Sequence, residues 1–371
     1  MTYYENAPKL PFTFILVFCT LTLSSPAWAA SYTVTDLGTL GGSRSFASGI
    51  NDSGQIVGHS ELAGNAVVRP FLYSNGSMTD LGTLGGSIGY AYAINNSGQV
   101  VGTSYTAGNI ATKAFLYSSG NMTGLGTLGG ANSYAYDINN SGQIVGASQI
   151  TSPTVHHAFL FSNSVMSDLG SGSIASSAHG INDSGQVVGT ADNTAFLYSQ
   201  GSMTNLGPFG VDFLGFPYGG SATAINATGQ IVGNLTKSPL PGQSPNSQAI
   251  QFTNGTYTLL GGGWVSDIND SGQAVGSLSD NVYNGVGYVK ESFGLLYKNG
   301  TAIRLNSLID PQSGWAIRDA TGINKQGQIA AWGCRSDGCR AVLLNPVPLP
   351  AAVLLFTSGL LGLGVFARRN T

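Results

Sequence analysis

INDSGQIVG, from Ile50 to Gly58, decides the fold, because six further copies follow it. They read INNSGQVVG from Ile94, INNSGQIVG from Ile138, INDSGQVVG from Ile181, INATGQIVG from Ile225, INDSGQAVG from Ile268 and INKQGQIAA from Ile323. Successive copies lie 44, 44, 43, 44, 43 and 55 residues apart. A fixed period near 44 means one supersecondary unit repeated along the chain.

Around the phrase, each period reads as four strands. In the period from Tyr90 to Gly130, YAYAIN alternates and QVVGTS follows the turn. AFLYSSG and NMTGLGTLGG come after a variable loop. Short runs rich in Val, Ile, Tyr and Phe, separated by Gly, Asn and Ser, are strand signals. Four antiparallel strands per unit match a propeller blade, whereas the coils of a parallel β-solenoid are shorter. The first three strand types occur seven times, the third at Phe71, Phe115, Phe159, Phe196, Gln251, Leu295 and Val342. The fourth follows the first six third strands but not the last, and an unpartnered copy stands at Tyr32–Gly42. The sequence therefore predicts an all-β, seven-bladed β-propeller with four-stranded antiparallel blades. Its N-terminal strand lies beside Ala341–Leu344 and closes the ring, which removes exposed edges.

The turn has a local mechanism. Asn51 opens it and Gly54 takes the left-handed position that closes it. A calcium loop is the weaker reading. The next position is Asn96, Asn140, Ala227 or Lys325 in four copies, and a calcium site needs six or more oxygens with several carboxylates.

Composition fits an exported body. Charged residues are 8% of the 371, Gly numbers 54 and the formal net charge is −3. No basic stripe exists, which argues against nucleic acid. Hydrophobic residues, at 42%, are numerous enough to bury a core, which excludes disorder.

Residues 1–30 read as a secretory signal peptide, 31–346 as the repeat body and 347–371 as a C-terminal signal. Lys9 precedes an apolar run from Phe12 to Leu23. Ala27 and Ala29, followed by Ala30, give the small-x-small pattern of signal peptidase. Cys19 lies inside the apolar run. At the other end, Val347, Pro348, Leu349, Pro350 and Ala351 lead into an uncharged stretch to Ala367, followed by Arg368 and Arg369. That length is at the low edge of a transmembrane helix, and the arginines would stay cytoplasmic. The tail resembles the PEP-CTERM sorting signals of bacteria, in the variant with a Val-Pro-Leu-Pro-Ala core. The resemblance implies an exosortase-type processing enzyme, a transient inner-membrane anchor, and delivery to the cell surface or extracellular matrix. A plain uncut anchor is the alternative.

The DLGTLGG, INxSGQxVG and AFLYS phrases resemble the HAF-repeat extracellular proteins, and His157-Ala158-Phe159 spells the tripeptide once. The resemblance covers residues 32–345 and implies fold and location more than an activity.

Loop lengths point to one face. The turn between first and second strands is constant and that between third and fourth nearly so. Insertions fall at 208–220, 234–248, 280–292 and 308–318, on the opposite edge. Function tends to sit on variable loops held by a rigid scaffold. Phe213, Phe216, Tyr218, Tyr283, Tyr288 and Trp315 form the candidate ligand face there, suited to stacking on sugar rings or to plugging the loops. Catalysis finds little support: glutamates are few, histidines occupy unlike repeat positions, and no nucleophile elbow, phosphate loop or metal-ligand spacing occurs. Asp212, Asp280 and Asp310 are the first suspects if an enzyme exists. Cys334 and Cys339 flank a hairpin-like tip, which predicts a disulfide in an exported protein. The expectation is a non-catalytic, surface-sorted protein, without cofactor or metal, that binds or organises extracellular polysaccharide. A hydrolase or lyase acting on polysaccharide is the alternative.

Overall fold

The computed structural model describes residues 31–152, 154–170, 172, 175–207, 219–236, 247–253, 256–283 and 288–348. The body is all β, with only three single-turn 3-10 helices among the described residues. Its strands form antiparallel meanders. Five sheets have four strands each and one has eight. The eight-stranded sheet arises where the first two meanders join through one parallel pair, Val68 with Ile88. This is the arrangement of a β-propeller.

Alternation along each first strand sets the layers. In Gly85–Ile94, Ala91 is fully buried while Tyr90 and Tyr92, on the other side, are half-buried. Ala47, Ala135, Ala178, Ala222, Val265 and Ala320 repeat the Ala91 position, none more than 2% exposed. The cores lie between neighbouring sheets. Val57 and Leu72 of one repeat pack with Ala91, Ile94, Val100 and Phe115 of the next. Phe71, Phe115, Phe159 and Phe196 fill equivalent buried positions, and removing such a side chain costs about 3–5 kcal/mol.

The first and last strands of the repeat body meet. Tyr32–Asp36 pairs with the closing strand of the last repeat, Gly338–Pro346, with Val34 opposite Leu344 and Asp36 opposite Val342. The Leu37 N–H donates to the Ala341 carbonyl at 3.0 Å. Leu37, Ala341 and Leu343 then share a core with Ala47, Ile56 and Phe71 of the first repeat. The N-terminal strand is shorter than Tyr32–Gly42, because the Asp36 carboxylate accepts the Gly38 N–H at 2.9 Å and Gly38 has a φ of 76°. That turn ends the pairing, and Gly41–Ile50 begins the next strand.

The constant turns lock together. The Asn51 side-chain oxygen accepts from the Ser53 and Gln55 N–H groups, and Gly54 has a φ of 74°. The same Asn donates through Nδ2 to its own Gln55 side chain and to the Asn95 carbonyl. Asn95 repeats this to Asn139, and so on through Asn182, Asn226, Asn269 and Asn324, which returns to Asn51, each bond 3.0–3.1 Å. All seven asparagines are buried, so each bond satisfies groups that water cannot reach.

Candidate functional site in the central channel

Every first strand carries a register shift at the same place. In the first repeat Ala47 faces Gly58 and Gly49 faces Val57, so Ser48 has no partner. The residues left over in this way are Ser48, Tyr92, Tyr136, His179, Thr223, Ser266 and Thr321. A bulge re-aims the extra side chain, and here all seven line one central cavity of about 370 Å³.

The bulge explains the last residue of the repeated phrase. A Cβ on Gly58 would sit 2.0 Å from the Phe46 carbonyl oxygen. On Gly146 it would sit 1.9 Å from that of Tyr134. In six of the seven repeats the first strand crosses so closely that glycine fits best; the seventh has Ala331 there, opposite Ala320.

The cavity wall is lopsided. Tyr92, Tyr136 and His179 come from successive repeats, with ring centroids 5.8 Å apart for the tyrosines and 5.9 Å for Tyr136 with His179. The remaining bulge residues are Ser and Thr. Thr223 and Thr321 turn their hydroxyls to the carbonyls of Val265 and Ala47 in the next repeat. His179 does the same through Nδ1, 3.0 Å from the Ala222 carbonyl. That contact requires the proton on Nδ1. Burial holds the imidazole below its ordinary pKa despite this bond, so at neutral pH its Nε2 is a bare acceptor.

Next to the bulge the repeats carry Gly or Ala, except for Asp137 and Asp267. Each carboxylate accepts two backbone N–H groups. Asp137 takes those of Ile138 and of Ile181 in the next repeat; Asp267 takes those of Ile268 and Ile323. Both keep some exposure to the channel yet are ringed by protein. Burial pushes the Asp137 carboxyl up to about 7 against those bonds, aided by the Asp267 and Asp183 charges. It pushes Asp267 up to about 6.

The channel has two unlike ends. The turn end, a cavity of about 220 Å³, is lined by the asparagine ring with Asp52, Asn96, Asn140, Asp183, Ala227, Asp270 and Lys325. Asp52, Asn96, Asn140 and Asp183 bond to one another in sequence, and the Lys325 ammonium lies 3.4 Å from Asp52 and 3.6 Å from Asp270. Toward the opposite end the strands place Phe46, Tyr90, Tyr134, Ser177, Ser221, Trp264 and Asp319 two residues before the bulge. Ring contacts run without a break from Trp332 through Phe46, His59, Tyr90, Tyr92, Tyr136 and Tyr134 to His156. Trp264, across the ring, is 48% exposed. The His59 Nδ1 and His156 Nε2 are buried without a hydrogen-bond partner.

The residues nominated from the sequence fare differently. Phe213, Phe216 and Tyr218 lie outside the described residues, as does Asp212. So do Ala27, Ala29, Ala30, Leu349, Pro350, Ala351, Arg368 and Arg369, and with them the signal peptide and the membrane helix. Tyr283 pairs with Tyr288 through the backbone of the long hairpin Ala274–Tyr283 and Tyr288–Lys298. Trp315 packs half-buried against the last core with the Arg335 guanidinium 4.7 Å from its ring, a plug more than a free platform. Val347, where the sorting motif starts, donates its N–H to the Ser31 carbonyl at 2.9 Å. Cys334 and Cys339 face each other across their hairpin as a disulfide, Cα–Cα 4.0 Å. Asp280 pairs with Arg304, and Asp310 accepts the Gln312 N–H. No group of three or more His, Cys, Asp or Glu converges as a metal site among the described residues. The channel residues are hidden in the sequence because YAYA reads as strand propensity; the signal is their variation beside an otherwise constant phrase.

Residues 77–169 match a family model described as a protein of unknown function, DUF3466. No curated protein matches the chain. Among solved structures it is similar to the β-propeller domain of the Trilobed protease from Pyrococcus furiosus, at 9% identity and a TM-score of 0.39, covering 82% of this chain and 86% of that one. It is similar also to a putative gluconolactonase, at 9% identity and a TM-score of 0.39, covering 87% of this chain and 96% of that one.

Proposed function

We propose that the protein is an exported, seven-bladed propeller that binds or organises extracellular polysaccharide without catalysis. The blade count is supported by the seven-membered asparagine ring and by the pairing of Tyr32–Asp36 with the last repeat. The observation that carries the function is the aromatic array from Phe46 to Tyr134 with Trp264 opposite, around the mouth of a polar channel. Aromatic faces beside hydroxyls and carboxylates suit the two-sided surface of a sugar ring, apolar on its C–H face and polar at its rim. The reading as a hydrolase or lyase would use Asp137 and Asp267. Each of their four oxygens already accepts a backbone N–H, which favours a positioning role.

The sorting half of the proposal rests on the sequence at both ends: signal peptidase removes the leader and an exosortase-type enzyme the tail. Replacing Pro348 and Pro350 with Ala should leave membrane insertion intact and retain the protein in the inner membrane; mature wild-type protein still carrying Arg368 and Arg369 would show an uncut anchor. For binding, the body is titrated with soluble polysaccharides and their oligomers. Trp264→Ala and Tyr134→Ala should weaken retention on affinity gels without release of reducing ends. New reducing ends from wild-type protein would favour the enzyme reading.

A further inference from the structure

The contents of the cavity wall narrow the ligand class. Among the described residues no Lys or Arg lines the 370 Å³ cavity, although charge of both signs lines the turn end. Beside Ser, Thr and Tyr hydroxyls, which donate and accept, the wall carries three pure acceptors: the Asp137 and Asp267 carboxylates, and the His179 Nε2 left over once Nδ1 is committed to Ala222. His179 is half-buried and lines this space. Its free Nε2 can accept a hydrogen bond from a ligand hydroxyl there. Both carboxylates also line the turn end, but the Lys325 ammonium there is engaged by Asp52 and Asp270, so a cation from outside is what would stabilise the Asp137 and Asp267 pair in its ionised form.

Geometry argues for an organic cation over a metal ion. Asp137 and Asp267 stand in the third and sixth members of the seven-membered asparagine ring, nearly opposite one another. They bracket the cavity, and no three ligating side chains converge among the described residues. Tyr92 and Tyr136 supply an aromatic wall on one side, where a cation gains from the ring faces. Ser48 and Thr321 leave room on the other. The volume suits one small ring with its substituents, at the low end of the ~300–1,000 Å³ common for ligand pockets.

We infer that the central cavity binds a protonated amine carried on a sugar ring, so that the polysaccharide class is one with free amino groups. The amino sugar enters from the aromatic mouth, its ring against Tyr92 and Tyr136. Its ammonium donates to Asp137 or Asp267 and a ring hydroxyl to the His179 Nε2. This rests on the polysaccharide reading and adds the amine to it.

The test is calorimetric titration of the full repeat body with glucosamine, N-acetylglucosamine and glucose, then with chitosan and chitin oligomers of equal length. A charge-assisted bond contributes ~1.5–3 kcal/mol, so glucosamine should bind on the order of 10- to 100-fold tighter than the two neutral sugars. The double variant Asp137→Ala and Asp267→Ala, which installs the residue present at Ala93 and Ala224, should lose that preference. His179→Gln keeps an acceptor and a donor and should retain it. An unchanged melting temperature under the titration conditions separates lost binding from lost fold. Equal affinity for acetylated and free-amine ligands overturns the amine assignment and leaves the polysaccharide reading standing. Preference for the amine that survives the double variant overturns the location. No binding of any saccharide overturns both.

Discussion

The two ends of the channel are built from the same seven strands and obey opposite rules. At the turn end, every repeat presents an Asn bonded to its own Gln and to the carbonyl of the next Asn, and a glycine with nearly the same positive φ. Three residues earlier, at the bulge, the repeats carry Ser, Tyr, Tyr, His, Thr, Ser and Thr. The difference lies in what receives each side chain. An Asn amide must reach a carbonyl in the next repeat, so one substitution breaks two neighbours and the ring. A bulge side chain points into the channel, where Thr223, Thr321 and His179 reach a carbonyl of the next repeat and the other four have no such bond among the described residues, so its identity can vary. Constancy there marks assembly, and variation marks where recognition can be built.

The largest effect should come from breaking the ring where the first and last strands of the repeat body meet. Deleting residues 31–42 removes the strand paired with Gly338–Pro346 and opens the core shared by Leu37, Ala47 and Phe71. An unpaired edge invites association, so size-exclusion chromatography should show aggregates. A monodisperse monomer would mean that the other strands close the ring unaided.

The next effect concerns the bulge itself. Gly146→Ala places a methyl 1.9 Å from the Tyr134 carbonyl and 2.9 Å from the Phe159 ring. Overpacking of this kind costs about 1–3 kcal/mol, and here the upper end is expected because backbone must move. Gly76→Ala, at a hairpin tip with open space, strains only its own φ of 80° and should cost less. Equal losses in denaturant melts would remove the steric account of this glycine, which six of the seven repeats share.

Much of this is legible in the sequence, and the boundary is physical. Strand order, the Asx turn and the terminal pairing follow from period and alternation, which repeat seven times and average out local accidents. The bulge is not legible, since Ala91-Tyr92-Ala93 looks like uninterrupted alternation until the close crossing at Gly102 is known. Asp137 and Asp267 do not stand out, because one carboxylate per strand means nothing before the third and sixth repeats are brought to face each other. Trp315 reads as a ligand-face residue from its loop, and its partner Arg335 is remote in sequence.

Within the turn ring, Asn139→Ala should cost roughly 1–3 kcal/mol for the buried groups it leaves unpaired. Ser141 and Gln143 lose an acceptor and the Asn182 carbonyl a donor. Tyr136→Ser, at the bulge of the same strand, copies Ser48 and should keep the fold. Comparable losses of cooperative unfolding in both would erase the contrast between the two ends. The Cys334–Cys339 bond closes a short loop, its cysteines five positions apart, for which the chain-entropy account gives ~2 kcal/mol. Two titratable thiols in oxidised protein would remove it.

The smallest effect is a slope with pH, and its sign is unusual. Asp137 and Asp267 have carboxyls raised to about 7 and about 6 by burial, whereas the unfolded value is about 3.9. Between pH ~4 and ~7 the folded state therefore holds more protons than the unfolded one, and stability from this source falls as pH rises. It is fully present below the unfolded value and gone above the folded one. Glu61 runs the other way: hydrogen bonds from Arg44 and Ser43 hold its carboxyl low. Asp337, held low by Arg335 and Arg340, does the same. The raw curve mixes both signs. Comparison with Asp137→Ala/Asp267→Ala isolates the channel pair, since Glu61 and Asp337 remain in both proteins. The wild type should lose melting temperature relative to the double variant between about pH 4 and 7 and run parallel to it above about pH 8. An amine ligand should flatten the wild-type slope, because it stabilises the charged pair that proton loss creates. Parallel curves over the whole range would mean that the backbone N–H groups offset burial, leaving both carboxylates ionised and the channel negative even in mild acid.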